Sequence, residues 1–511
     1  VIPEGAGLRL SSAAGRWVLA AAVLGSAIAA IDSTVVGIAL PAIGRNFAMP
    51  VSSLQWVVSA YLLALAGLLL VGGALGDRYG RRRVFVVGVV WFALASLVCA
   101  LAWNAGVLIA ARALQGVGAA LLTPGSLAIL QASFTPDDRS RAIGAWAGLG
   151  GVATAVGPFL GGFLIGAVSW RLIFLINLPL AVVVVVIAGR HVPESRDPDA
   201  GGRVDVAGAV LVTAGLIGLT AGLIEASGRG WSSATVVGSL VGSLVFFGAL
   251  VVRERWARHP VLPLSIFRSR QFSATNAVTF VVYGALGGAL FLLPVQLQQV
   301  AHYSPLEAGT SLLPLTLIML ALSARSGALA ARIGPRLQMS VGPVVVGAGM
   351  VLLRLVGPSG DYLTEVLPGV VVLGLGLAIT VAPLTVTALA SAPMEHAGMA
   401  SAVNNDVARA GGLIAVAILP AVSGVDGRSY LHPALFAAGF RHAVVIAAAA
   451  AALGGVLAAL FVRDPGASRH ARAPEQERER AMVCCPLEAT PLATGSGSRP
   501  APASGAAAAA S

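Results

Sequence analysis

Residues 73–83 read Gly73-Ala74-Leu75-Gly76-Asp77-Arg78-Tyr79-Gly80-Arg81-Arg82-Arg83, a charged, glycine-spaced turn between apolar runs at 54–75 and 84–103. Hydrocarbon does not tolerate four Arg and one Asp this close together, so the chain leaves the apolar phase here and re-enters it at once. A membrane span needs about 20 apolar residues. Working outward from this turn, such runs lie at 17–39, 54–75, 84–103, 106–130, 141–166, 172–189, 204–225, 233–252, 273–297, 307–330, 337–356, 363–391, 398–421 and 440–462. The expected fold is therefore an all-α polytopic membrane protein with fourteen transmembrane helices.

Composition agrees. Of 511 residues, 57% are hydrophobic and 11% charged, with a mean hydropathy of +0.87, where soluble proteins average about 25% charged residues. The bilayer must be the solvent for most of the chain. The net charge is +11 and every basic residue is Arg, an absence of Lys that a GC-rich coding bias explains. The Arg residues sit in short connections and form no basic face with interleaved aromatics, so no nucleic-acid partner is expected. Cys99 lies in an apolar run, and Cys484 and Cys485 are adjacent in a polar tail; this is neither a disulfide framework nor a metal set. The tail pair is either inert or a lipidation site. No cleavable signal peptide is expected, because the first apolar run is long and lacks a cleavage site.

Arg residues concentrate in alternate connections: Arg78, Arg81, Arg82 and Arg83; Arg139 and Arg141; Arg190, Arg196 and Arg203; Arg253, Arg255, Arg258, Arg268 and Arg270; Arg332 and Arg336. By the positive-inside rule these connections and both termini are cytoplasmic, in a cell membrane that is expected to be a bacterial inner membrane. The turn at 73–83 has an echo, Gly327-Ala328-Leu329-Ala330-Ala331-Arg332-Ile333-Gly334-Pro335-Arg336, which lacks the acidic residue. The echo implies two six-helix halves, residues 1–190 and 263–465, joined by a linker with two extra spans at 191–262 and followed by a disordered cytoplasmic tail at 466–511. Repeats of this kind build a central site at their interface.

Charges inside spans are expensive and mark candidate sites. Asp32, in Ile31-Asp32-Ser33-Thr34-Val35-Val36, is roughly 22 Å from the inner face, and Arg112, in Arg112-Ala113-Leu114-Gln115-Gly116, is roughly 9 Å from the outer one. The two share a depth. Pairing would offset the burial cost of both, and protonation of Asp32 would release the pair; a static ion pair or a snorkelling Arg is the plain alternative. Asp406 and Arg409, in Asn404-Asn405-Asp406-Val407-Ala408-Arg409, lie on the thirteenth span and could pair three residues apart. Asp406 is a second proton site, a cation-attracting group or a structural partner. The fifth span carries Gly148, Gly151, Gly157-Pro158, Gly161-Gly162 and Gly166, which suit close packing and bending. Tyr61, Gln115, Tyr283, Gln296, Asn404, Asn405 and Arg409 are the candidate cavity residues.

These motifs, in this order, resemble the major facilitator superfamily, and within it the fourteen-span drug:proton antiporters of actinobacterial type. The resemblance implies a conformational gate at Gly73, Asp77, Arg78, Gly80 and Arg81. It also implies proton coupling through Asp32 and Arg112, and an antiporter motif at Gly157, Pro158, Gly161 and Gly162. The implied function is proton-coupled export of small lipophilic or cationic compounds by alternating access, with the bilayer, protons and the small-molecule substrate as partners. No cofactor, metal or obligate protein partner is expected, and no enzymatic activity, since no catalytic cluster such as His-Glu-x-x-His occurs. The rival within transport is a narrow exporter of one endogenous metabolite, lipid precursor or self-made antibiotic.

Overall fold

Gly80 adopts φ 113°, a conformation that side-chain-bearing residues avoid, and it separates two helices that would otherwise run together. In a computed structural model, which describes residues 7–196, 205–256, 264–391, 397–425 and 432–464, α1 covers Ala13–Phe47, α2 Val51–Tyr79, α3 Arg81–Ala100, α4 Ala105–Ser133 and α5 Pro136–Ala167. A sixth span is interrupted, α6 Leu172–Leu175 followed by α7 Asn177–His191. The additional pair is α8 Val206–Arg229 and α9 Ala234–Trp256. Then come α10 Arg270–Gln299, α11 Pro305–Thr310 with α12 Leu313–Ile333, α13 Pro335–Leu352, α14 Leu367–Ala390, α15 Ala397–Ser423 and α16 Pro433–Phe461.

Among the described residues, fourteen segments are long and apolar enough to cross a bilayer, the number expected. Most of the helices are longer than the apolar runs, because polar end turns continue the helix beyond the hydrocarbon. The first, for example, runs 13–47 where hydropathy marked 17–39; the Ser12 side chain accepts from Gly15 N at its start and Ala48 closes its end in the left-handed region. The echo of the first turn is physical. Gly334, at φ 87°, parts α12 from α13 as Gly80 parts α2 from α3.

α1–α7 pack around Phe85, Phe92, Phe134 and Ile28, each almost wholly buried. α10–α16 pack around Phe436, Phe440, Leu373 and Met350. α8 lies against both groups. A Cβ added at Gly67 of α2 would lie 2.1 Å from Thr213 Oγ1 on α8, so the Thr213 side chain packs directly on the α2 backbone. Leu216 of α8 joins Leu63 and Leu413 in one cluster, and Ile224 joins Ala417 in another. α9 packs on the far side of α8, where Ser243 Oγ donates to the Gly215 carbonyl at 2.7 Å. The tail expectation and Cys484 and Cys485 fall outside the described residues.

Candidate functional site

Five spans converge on one buried polar cluster. Asp32 of α1 and Arg112 of α4 are each 1% exposed, and Arg112 Nη1 donates to Asp32 Oδ2 at 2.5 Å. Gln115, one turn along α4, accepts from Arg112 Nη1 at 2.6 Å and donates from Nε2 to Asp32 Oδ1 at 2.8 Å. Asn177 Nδ2, at the start of α7, donates to the same Oδ1 at 3.2 Å and to Ser96 Oγ of α3 at 2.9 Å. Ser96 Oγ in turn donates to the Phe174 carbonyl at 2.9 Å. Arg112 Nε donates to the Val57 carbonyl of α2 at 3.2 Å, and the guanidinium lies 4.3 Å from the Tyr61 ring centre.

Glycine makes this approach possible. A Cβ at Gly116 would lie 2.4 Å from the Tyr61 carbonyl, and one at Gly118 would lie 2.7 Å from Phe92 N. α4 is thereby held against α2 and α3 closely enough for Arg112 to reach across to α1. Paired and hydrogen-bonded on nearly every side, the two charges escape the cost of an isolated ion in an apolar medium. The arrangement can do one thing chemically without rebuilding the fold. A proton on Asp32 removes the ion pair and leaves Arg112 with Gln115, the Val57 carbonyl and the Tyr61 face.

The expected pairing of Asp32 with Arg112 is therefore present. Tyr61 and Gln115, expected on a cavity wall, are instead buried in the cage around the pair, at 2% and 0% exposure. Gln296 is also fully buried, its Nε2 on the Val356 carbonyl at 2.9 Å. Ser96, Asn177 and the Val57 carbonyl were missed; a polar Ser and Asn inside apolar runs were the available signal.

On α15, Asp406 and Arg409 form no ion pair. The spacing allows one, but Asp406 Oδ1 is buried without a hydrogen-bond partner. Asn404 Nδ2 donates to Asn276 Oδ1 at 3.1 Å and Thr279 Oγ1 at 2.9 Å on α10, so it fastens helices together. Asn405 is exposed, and Tyr283 and Arg409 are half-buried.

At the turn of residues 73–83, Asp77 pairs with Arg81 at 2.8 Å. Gly73 faces Pro124 of α4, and Arg78 lies over the Tyr79 ring. Glu194, which the sequence reading did not single out, does the fastening: its Oε1 accepts from Arg82 N at 3.1 Å, and its Oε2 is 3.6 Å from Arg82 Nε and 3.7 Å from Arg83 Nε. A carboxylate at an uncapped helix start opposes the positive end of the helix dipole. This fastening joins the start of α3 to the segment that follows α7.

α5 divides at its middle. Cβ atoms at Gly157 and Gly161 would lie 2.0 Å from Thr34 Oγ1 and 2.6 Å from Val35 Cγ1 of α1, and one at Gly162 2.4 Å from the Pro305 carbonyl of α11. Gly309 of α11 packs as tightly on the Pro158 carbonyl, at 2.2 Å. Gly148, Gly151 and Gly166, grouped with these in the sequence, have nothing within 4 Å, and neither do Gly144 and Gly150. Among the described residues, hydrogen bonds joining the halves lie at the end opposite Asp77: Gln298 Nε2 to the Ile38 carbonyl at 2.9 Å, and Gln55 Nε2 to the Val416 carbonyl at 2.7 Å.

Two helical halves, fourteen spans and a buried carboxylate–guanidinium pair define a polytopic transporter-type membrane protein. The profile of the Major Facilitator Superfamily matches residues 22–417, and the chain belongs to that superfamily. The chain is 35% identical over 407 residues to the tetracenomycin C resistance and export protein of Streptomyces glaucescens, covering 78% of this chain and 74% of that one. It is 34% identical to the methylenomycin A resistance protein of Bacillus subtilis, covering 88% and 95%. To the multidrug resistance protein Stp of Mycobacterium tuberculosis it is 34% identical, covering 79% and 75%. Among solved structures, an inward-facing bacterial homologue of the lysosomal transporter Spinster matches with a TM-score of 0.61 at 18% identity, covering 88% of this chain and 97% of that one; at that identity the likeness concerns the fold.

Proposed function

We propose that this transporter is a proton-coupled exporter of small lipophilic or cationic compounds, with Asp32 as the proton-exchanging group and Arg112 as its partner. The observation that carries the proposal is the buried Asp32–Arg112 ion pair, caged by Gln115 and Asn177. A carboxylate held this way changes its contacts to α4 and α7 when it takes a proton. Protonation is thus tied to helix packing, as alternating access requires. The names of the relatives support export and drug resistance as the physiological direction.

With the Arg-rich connections on the cytoplasmic side, the hydrogen bonds that join the halves among the described residues lie at the outer end. Closure at the outer end suits a state that loads cargo from inside. The turn at Gly73, Asp77, Arg78, Gly80 and Arg81 acts as the cytoplasmic gate, and Gly157, Pro158, Gly161 and Gly162 form the bend and close-packing surface on which α5 moves. Asp406, with its unpartnered oxygen, attracts the cation or carries a second proton, beside Arg409, Tyr283 and Asn405. Relatives named for single antibiotics favour a second reading, export of one self-made or endogenous compound.

Reconstitution into proteoliposomes loaded with a pH-sensitive dye tests the proposal. Adding a lipophilic cation should release protons in a substrate-dependent manner for wild type and not for Asp32→Asn. Substrate transport with no proton movement would refute the coupling.

A further inference from the structure

A cavity outside the site described above lies at the end of the bundle opposite Asp77, between the ends of α10 and α13 and the start of α16. Its volume is about 400 Å³, and His302, Arg354 and Arg441 line it together with Pro433, Ala434 and Ala437. Pockets of about 300–1,000 Å³ are the usual size for small ligands. Among the described residues neither Arg has a carboxylate partner. Arg441 spends only its Nε, on the Ala437 carbonyl of its own helix at 3.3 Å. Glu365, the carboxylate beside the rim, is engaged by Gly357 N at 2.9 Å and by the Ser359 hydroxyl.

Two further features supply hydrogen-bond donors. α16 begins at Pro433 with no side-chain cap, so the first N–H groups after the proline, Ala434 among them, have no partner within the helix. An uncapped helix start carries partial positive charge. His302 holds a left-handed backbone at φ 57°, which is uncommon for a residue with a side chain, and that turn places it on the pocket. The rest of the wall is apolar: Val300, Leu355 and Val356.

We propose that this pocket binds a phosphate-type anion, with Arg354 and Arg441 as the charged contacts, His302 and the α16 start as additional donors, and the apolar wall accommodating the glycerol or acyl portion of a larger ligand. The chemistry is that of an anionic lipid headgroup or of free phosphate. Basic pockets between spans suit such headgroups on the cytoplasmic side, and this pocket presents the same chemistry at the opposite end of the bundle.

The test uses the full-length protein in neutral detergent, with two arms. In the first, native mass spectrometry compares binding of short-chain phosphatidylglycerol with that of phosphatidylcholine; in the second, inorganic phosphate is titrated while thermal unfolding is followed. A lipid site gives wild type a preference for phosphatidylglycerol of about five-fold or more, the scale of one Arg contact near a membrane surface. Arg354→Gln and Arg441→Gln each reduce binding by a similar factor, and Arg325→Gln on α12 leaves it unchanged. A free-phosphate site instead gives wild type a rise in unfolding temperature with phosphate that the Gln variants lack. Where a Gln variant does not fold, Arg354→Lys or Arg441→Lys takes its place; it keeps the charge but not the bidentate geometry, and lowers binding by a smaller factor. No preference for phosphatidylglycerol together with no stabilisation by phosphate overturns the proposal, and so does a preference for phosphatidylglycerol that every variant keeps.

Discussion

Arg112 Nη1 sits 2.5 Å from Asp32 Oδ2 while both residues are 1% exposed, so each charge is the other's principal compensation. Removing one alone strands its partner in an apolar medium, at a cost of about 3–5 kcal/mol. Arg112→Gln is therefore expected to lower the unfolding temperature in detergent sharply. The neutral double variant Asp32→Asn/Arg112→Gln should recover part of the loss. A double variant less stable than either single one would mean that the pair is not the dominant interaction there.

Asn177 ties the carboxylate to Ser96 and so to α3. Asn177→Leu leaves Ser96 and Asp32 each short of a donor and should cost about 1–3 kcal/mol. Transport should slow while substrate binding in the same preparation is unchanged. Equal losses in binding and transport would place Asn177 in cargo recognition instead.

Along α5, position decides the outcome of replacing a glycine. Gly161→Val drives a side chain into Val35 and should destabilise the protein by about 1–3 kcal/mol. Gly148→Ala meets nothing within 4 Å and should leave stability unchanged or slightly raised, since Ala favours helix by about 1 kcal/mol over Gly. Thermal unfolding of the two variants side by side checks both.

Glu194 joins the start of α3 to the segment that follows α7. Glu194→Gln keeps the shape and loses the charge. It should free residues 192–196 for proteolysis, with a stability loss of about 1 kcal/mol, the scale of a carboxylate at a helix start. Unchanged cleavage kinetics would contradict that fastening role.

Asp205 caps α8: its Oδ1 accepts from Gly208 N at 2.8 Å and from Arg253 Nη2 at 2.6 Å. Burial raises its pKa, but the hydrogen bonds from Arg253 and from the Gly208 and Ala207 backbone outweigh that and hold it below the ordinary carboxylate value. A depressed folded-state pKa means the unfolded chain takes up the proton first. The stabilisation is complete above the ordinary value of about 3.9 and is lost as pH falls through the folded-state value. The gap in unfolding temperature between wild type and Asp205→Asn should be constant near neutrality and close on acidification below about pH 4.

The spans were legible because hydropathy alone sets them, and the repeat because Gly80 and Gly334 perform the same backbone task. The meeting of Asp32 with Arg112 followed from depth, since two charges at one level of the membrane have few other partners. The cage did not follow. Ser96 and Asn177 are ordinary residues in apolar runs, and only the rotation of α3 and α7 turns them inward. Gln115 and Tyr61 looked like cavity residues because polarity in a span says nothing about which side of a helix faces water. Helix spacing allowed Asp406 and Arg409 to pair, but the side chains do not meet. The grouping of glycines on α5 failed similarly, because spacing along a helix does not tell whether a neighbour stands opposite.

Efflux of a fluorescent lipophilic cation from cells expressing wild type, Asp32→Asn or Asp406→Asn, with and without an uncoupler, tests the proton switch most directly. Proton-coupled export through the helix 1 carboxylate predicts efflux in wild type that the uncoupler abolishes and that Asp32→Asn lacks. Uncoupler-sensitive efflux that survives in Asp32→Asn and disappears in Asp406→Asn would contradict it and place the switch on α15.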